Sequence, residues 1–294
     1  TACRRQRQMC IRDSDEGIRL LKNANFEVID GTNASTEKKI SLSRDVDAWL
    51  IRSGTTINKK AIDRAQKLKI IGRAGVGVDN IDIECATKRG IVVTNTPDVN
   101  TTSACEHTIA LMLTLSRNIS LGDQSIKIGN WNRNELIGTE LSAKTIGIIG
   151  MGKIGRELMK RCLSFDMRIL AYDPYANKAL IEREKVDLVS LDELFSNSDF
   201  ISTHVPLNDN TRDLINKESF SLMKSNVRII NVARGGIINE QDLADALKKN
   251  KIAGAAIDVF SKEPIETNNP LINAPNVILT PVSYTHLRAH ETVS

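Results

Sequence analysis

Residues 145–162 read TIGIIGMGKIGRELMKRC, and their order decides the fold. The run TIGII has the length and apolar character of a buried strand, and a helix-like stretch follows it. Between them stand Gly150, Gly152 and Gly155 in G-x-G-x-x-G order. One glycine permits the tight turn, the next lets backbone approach a pyrophosphate, and the third lets helix and strand pack closely. The amino terminus of the helix then offers free N–H groups to phosphates. Eighteen residues after Gly155, at the carboxyl end of RILAYD, stands Asp173. A carboxylate there accepts hydrogen bonds from a ribose 2′-hydroxyl and repels the extra phosphate of NADP, so the stretch predicts NAD as cofactor. A glycine turn followed by an unrelated surface aspartate is the plain alternative, and the strand context argues against it.

Working outward, the same alternation of short apolar runs and helical patterns fills the chain. After the glycine stretch come RILAYD, FISTHV, VRIINVA, AGAAIDVF and NVILTP; before it come FEVI, AWLI, KIIGRAG and IVVTN, with DRAQKL and DIECATKRG as helical segments. Such alternation predicts parallel sheets with crossover helices, here a doubly wound α/β architecture. After Pro97 the pattern changes: Ser103 and Glu106 have capping-box spacing ahead of the long apolar stretch TIALMLTLSRNI, which marks a domain boundary. A chain of 294 residues also exceeds what one core commonly organises, so two domains are expected, a smaller one over 15–96 and a dinucleotide-binding one over 97–281.

Composition excludes several classes. No apolar run approaches the roughly 18 residues of a membrane span. The net charge is +4, but Arg4, Arg5, Arg7 and Arg12 near the start account for most of it, which leaves no basic stripe for nucleic acid. The five cysteines, Cys3, Cys10, Cys85, Cys105 and Cys162, are odd in number and scattered, as expected of reduced thiols in a cytoplasmic protein. The opening TACRRQRQMCIRDS (1–14) and the closing VSYTHLRAHETVS (282–294) read like translated adapter, and both are expected to be foreign to the native protein.

Polar residues at the ends of apolar runs are the candidates for chemistry, because groups at the carboxyl ends of parallel strands face the ligand crevice. Arg234 follows VRIINVA, and its guanidinium suits a carboxylate through two parallel hydrogen bonds. Asp258 and, before Pro264, Glu263 follow AGAAI. His107, near the start of the long helix, is read as a packing histidine, His204 as the end of the strand run FISTHV, and Trp49 and Trp131 as packing residues.

Taken together, GRAGVGVDNID, NTPDVNTTSACEHTIALML, GTELSAKTIGIIGMGKIGRE, NVARGG and DVFSKEP resemble the D-isomer-specific 2-hydroxyacid dehydrogenases over residues 15–281. The resemblance implies a Rossmann-type nucleotide domain with a smaller flavodoxin-like substrate domain, and a homodimer or higher homo-oligomer formed largely by the segment after Pro97. It implies that Val76, Gly150, Gly152, Lys153, Ile154, Gly155, Asp173, Val232, Ala233, Arg234 and Asp258 line the NAD. Arg234 would bind the substrate carboxylate and Glu263 would support a catalytic histidine. Substrate contacts are expected from Arg52, Ser53, Arg73, Gly75 and Asn100, with Arg133 reaching across a dimer; no metal is implied.

The activity implied is hydride transfer between NAD and C2 of a D-2-hydroxy acid, with 3-phosphoglycerate, the entry to serine synthesis, as the expected substrate. Glyoxylate, hydroxypyruvate or D-lactate reduction by the same family is the alternative, and a non-catalytic NAD-binding corepressor-like module is a second. One departure matters: relatives read Thr-Pro-His where this chain has Thr280, Pro281 and Val282. Valine cannot exchange a proton, and neither His286 nor His290 is expected to replace the missing general acid/base.

Overall fold

A computed structural model describes residues 6–9, 15–31, 45–52, 55–96, 100–176 and 186–285. By contacts the chain divides into two compact units, Thr1–Asn100 and Thr101–Ser294. Ser53, Pro97, His286 and His290 lie outside the described residues, as do Cys3, Cys10, Arg4, Arg5 and Arg12.

The second unit is built on seven parallel strands: β6 (Thr145–Ile149), β7 (Arg168–Tyr172), β8 (Asp187–Leu188), β9 (Phe200–Thr203), β10 (Arg228–Asn231), β11 (Gly254–Ile257) and β12 (Val277–Leu279). Their order is β8-β7-β6-β9-β10-β11-β12. The chain thus runs outward from β6 in one direction, returns, and continues from β9 in the other, which makes the β6/β9 boundary the switch point of a doubly wound sheet.

Both faces of this sheet are covered, so its strands are apolar almost throughout. Ile146 and Ile148 pack on one face with Cys105, Met112, Leu158 and Met159, from helices Thr101–Ser116 and Lys153–Leu163. Ile149, Ile201 and Ile229 pack on the other with Leu194, Phe220 and Leu243, from helices Leu191–Asn197, Lys217–Leu222 and Glu240–Lys248. Each such fully buried side chain contributes roughly 1.5–3 kcal/mol by leaving water. Gly147 lets the helix Leu191–Asn197 sit close, since a Cβ there would come within 2.4 Å of Ser198 Oγ and 2.5 Å of Leu194. Burial also pushes the thiols of Cys105 and Cys162 up to about 11 and about 12, so both act as small apolar groups.

The first unit carries a parallel pair, β1 (Gln6–Met9) with β2 (Glu27–Asp30), and a parallel three-stranded sheet of β3 (Ala48–Ile51), β4 (Ile70–Arg73) and β5 (Val92–Asn95). Val46, Trp49, Ile51, Ile62, Ile71 and Ile91 form its core. Helix Lys59–Arg64 starts where Asn58 accepts from the Ala61 amide, and helix Ile83–Lys88 where Asp82 accepts from the Cys85 amide.

The structure differs from the sequence reading at several points. DRAQKL is not a helix of its own: the helix starts earlier, at Lys59, because Asn58 caps it, and it ends at Arg64. Ser103 and Glu106 do not form a cap, since the long helix already begins at Thr101 and both lie inside it. That helix stops at Ser116, where Asn118 takes a left-handed conformation (φ 51°) and a second helix, Ile119–Lys127, begins. Within the stretch expected to be foreign to the native protein, Gln6–Met9 forms β1. Trp131 is not a packing residue in this chain, being 76% exposed on the segment beyond the second helix.

Candidate active site

The glycine turn forms a cradle of the expected kind. Gly150 has φ 97°, open to glycine at little cost, and a Cβ on it would lie 2.6 Å from the His204 carbonyl oxygen. A Cβ on Gly155 would lie 2.1 Å from the carbonyl oxygen of Gly150, so the helix closes tightly on the strand end. Gly152 behaves oppositely: nothing lies within 4 Å of where its Cβ would be. It caps helix Lys153–Leu163 without a side-chain hydrogen bond, and Lys153 and Ile154 form the first turn. The two outer glycines therefore serve the fold, and the middle one leaves room for an anionic group against the helix terminus.

Asp173 closes the other side. Its Oδ2 accepts from the Met151 amide at 2.8 Å and its Oδ1 from the Tyr175 amide at 2.8 Å. A carboxylate offers about four acceptor sites, so two remain for ribose hydroxyls. The residues present fit NAD.

Beyond β9 on the other side of β6, β10 ends on Asn231, which is buried. Its Oδ1 accepts from Thr203 Oγ1 at 2.9 Å and from the Ala233 amide at 3.0 Å, and its Nδ2 donates to the Arg234 carbonyl at 2.9 Å. One amide side chain thereby fixes Val232, Ala233 and Arg234. The half-buried Arg234 donates from Nη1 to the Ala233 carbonyl at 2.7 Å.

At the end of β11 the carboxylate of Asp258 is fully buried. It accepts from Thr280 Oγ1 at 2.5 Å and the Ser283 amide at 2.8 Å, and His107 Nε2 stands 3.2 Å from Oδ1. The backbone joins in, with the Val282 amide donating to the Asp258 carbonyl at 2.9 Å. Asp258 thus organises the turn after β12, and His107 is more than packing: it lies beside this carboxylate and 3.4 Å from Thr280 Oγ1. Glu263 is exposed and accepts from the Phe260 amide at 3.1 Å. His204 Nε2 lies 2.9 Å from Ser202 Oγ, and burial pushes this imidazole down to about 4, keeping it neutral.

In the first unit, Arg52 follows β3 and Arg73 ends β4, both at carboxyl ends of parallel strands. Asn80 donates to the carbonyls of Arg52 (3.0 Å) and Thr55 (2.6 Å), fixing the first loop. The second is fixed from β5: the Gly75 amide donates to Thr96 Oγ1 at 2.7 Å, and Asn95 Nδ2 donates to the Val76 carbonyl at 2.6 Å. Gly75, at φ 141°, lies under the folded-back Arg73 guanidinium. Asn100 Oδ1 is buried without a hydrogen-bond partner among the described residues. Arg133 is exposed, in a short 3-10 turn. Sequence reasoning missed Asn231, Ser202 and Asn80; the first two are polar residues inside or ending apolar strands, a signal that was there to read.

A seven-stranded doubly wound sheet with this cradle at its switch point defines a dinucleotide-binding α/β protein. Residues 109–283 match the family described as D-isomer specific 2-hydroxyacid dehydrogenase, NAD binding domain, and the chain belongs to that family. It is 47% identical over 268 residues to D-3-phosphoglycerate dehydrogenase of Archaeoglobus fulgidus, covering 91% of this chain and 51% of that one. The chain spans about half the length of the curated relatives it matches. Among solved structures it resembles the TT0316 protein of Thermus thermophilus (TM-score 0.87, 30% identity, 95% of this chain and 89% of that one). It also resembles D-lactate dehydrogenase of Aquifex aeolicus complexed with NAD and lactic acid (TM-score 0.86, 28% identity, 97% and 90%). The cofactor is NAD. Among the described residues no helix is long and apolar enough to cross a membrane.

Proposed function

We propose that this chain is the NAD-dependent core of an enzyme that oxidises C2 of 3-phosphoglycerate to 3-phosphohydroxypyruvate, at the entry to serine synthesis. The observation that carries the reading is Arg234, held by Asn231 at the carboxyl end of β10, on the same edge of the sheet as the glycine cradle. When bound, NAD supplies the hydride acceptor. Arg234 holds the substrate carboxylate bidentately, which orients C2 as well as adding charge. The family resemblance assigns substrate contacts to Arg52, Ser53, Arg73, Gly75 and Asn100, with the arginines as the groups suited to a phosphate. The family resemblance assigns Val76, Lys153, Ile154, Asp173, Val232 and Ala233 to the cofactor, and Glu263 to the support of the position from which relatives use a histidine. In this chain that position is Val282, so proton transfer is impaired.

The working form is a homo-oligomer. Ile128, Trp131 and Ile137 are 74%, 76% and 81% exposed, and Ile119, Leu121 and Ile126 are also exposed, all within one segment after the long helix. A patch of this kind marks a contact surface. Cys85, Cys105 and Cys162 are free thiols, in keeping with a reducing, cytoplasmic setting.

The lactate-bound neighbour favours a second reading, an unphosphorylated 2-hydroxy acid as substrate. Calorimetric titration of the NAD-saturated chain with 3-phosphoglycerate and with glycerate separates the two. Several charge-assisted phosphate contacts predict a preference of at least ~10²-fold for the phosphorylated acid. Equal affinities would establish the second reading.

A further inference from the structure

The loops carrying Arg234 and Glu263 come from the ends of different strands, and Glu240 ties them together. Its Oε1 accepts from both the amide (2.6 Å) and the hydroxyl (2.7 Å) of Ser261, while its Oε2 accepts from Asn269 Nδ2 at 2.6 Å. Glu240 is the first residue of helix Glu240–Lys248, whose start is set by Asn239 accepting from the Asp242 amide at 3.1 Å. A carboxylate anchored on a packed helix is thus filled by three donors from the segment after β11.

The backbone of Phe260 and Ser261 is held at two further points. A Cβ on Gly235 would lie 1.9 Å from the Phe260 carbonyl oxygen and 2.5 Å from the Ser261 nitrogen, so the backbone beside Arg234 rests directly on that peptide. At the second point, Glu263 takes the Phe260 amide at 3.1 Å. Backbone contact this close transmits displacement, because a packed interior has little slack. If Ser261 moves, Gly235 and hence Arg234 must move with it.

We propose that Glu240 is a positioning residue: by clasping Ser261 and Asn269 it sets where the Arg234 guanidinium stands relative to the Glu263 loop. This rests on the reading of Arg234 as the carboxylate ligand, but the clasp itself can be measured apart from any ligand. Three charge-assisted hydrogen bonds into one carboxylate are stronger than neutral ones and fix geometry as well as energy. Loss of that geometry is felt in substrate affinity, since displacements of about 1 Å at a reacting centre can cost up to ~10²-fold.

The test uses the full chain and the variants Glu240→Ala, Glu240→Gln and Asn269→Ala. Amide hydrogen exchange is expected to rise in Glu240→Ala at residues 258–264 and also at 232–236, while the Gly150–Asp173 region stays as in wild type. NADH affinity, read by fluorescence, stays within about 2-fold, and affinity of the NADH-saturated protein for 3-phosphoglycerate falls about 10-fold or more. Glu240→Gln keeps an oxygen for Ser261 and is expected within about 3-fold of wild type. Asn269→Ala removes one donor only and gives a smaller change in the same two loops, which keeps the test decisive if Glu240→Ala does not fold. Exchange confined to 258–264, a glutamine as damaging as alanine, or unchanged 3-phosphoglycerate affinity in a loosened variant would each overturn the proposal. If wild type itself binds no 3-phosphoglycerate, the substrate reading falls, and the exchange pattern alone decides the clasp.

Discussion

The carboxylate of Asp173 reaches back to the glycine turn and accepts the Met151 amide at 2.8 Å, so the residue expected to read the ribose also holds the loop expected to face the phosphates. Asp173→Ala should therefore weaken both cofactors through the loosened turn, and NAD in addition through the lost ribose contacts. NADP loses a repulsion at the same time. We expect NADH affinity to fall about 10-fold more than NADPH affinity in fluorescence titrations. Equal losses would mean that Asp173 is only a loop staple.

Gly152 and Gly155 should separate in two measurements. Gly152→Ala meets no atom of the protein within 4 Å, so its melting temperature should stay near wild type while NADH binding is lost. Gly155→Ala meets the Gly150 carbonyl oxygen at 2.1 Å and should lower both, with a destabilisation of about 1–3 kcal/mol by overpacking. A Gly152→Ala protein that binds NADH normally would remove the cradle from the site.

His204 gives a pH signature. Its folded value of about 4 lies below the ordinary 6.5, so between those limits the unfolded chain holds a proton that the folded chain refuses. The penalty is absent above about pH 6.5 and accumulates as pH falls toward 4, with a slope of at most about 1.4 kcal/mol per pH unit for one proton. Urea midpoints measured across this window should fall more steeply for wild type than for His204→Gln. Parallel profiles would place the charge change elsewhere.

Val282 stands in a left-handed conformation, φ 55°, which is costly for a β-branched residue. Val282→Gly should stabilise by about 1 kcal/mol, read as a higher melting temperature. Turnover of the chain as it stands should be at least ~10²-fold below that of a relative with histidine there, and Val282→His should recover little of it, because a base must also be aimed. Near-normal turnover by the unaltered chain would refute both halves.

The parallel sheets were legible because buried strands are apolar on both faces: TIGII, FIST and RIIN cannot be mistaken for surface segments. The cradle was legible because glycine at Gly150, Gly152 and Gly155 has few other reasons to recur at that spacing. What stayed hidden was what depends on side chains meeting across distance. Asn231 looks like any polar residue at a strand end, yet it fixes Arg234. His107 and Asp258 are 151 positions apart and meet only once β11 and the long helix have packed. The helix starts were misjudged at Lys59 and Thr101 because a cap depends on which backbone amide is left open, and several registers of the sequence offer a suitable side chain.

The placement of β6 inside its sheet, between β7 and β9, has a consequence for synthesis. β6 pairs with β7 soon after it emerges, but its other edge waits for β9, where Ile146 meets Phe200 some 54 residues downstream. At translation rates of about 5–20 residues per second, that edge, with Ile146 and Ile148 beside it, stays open for roughly 3–10 s. During those seconds the nascent chain shows an unpaired apolar strand to its surroundings, the kind of surface a holdase chaperone binds and a neighbouring nascent chain can capture. The strand that carries the glycine turn is therefore also one whose second edge is paired late in synthesis.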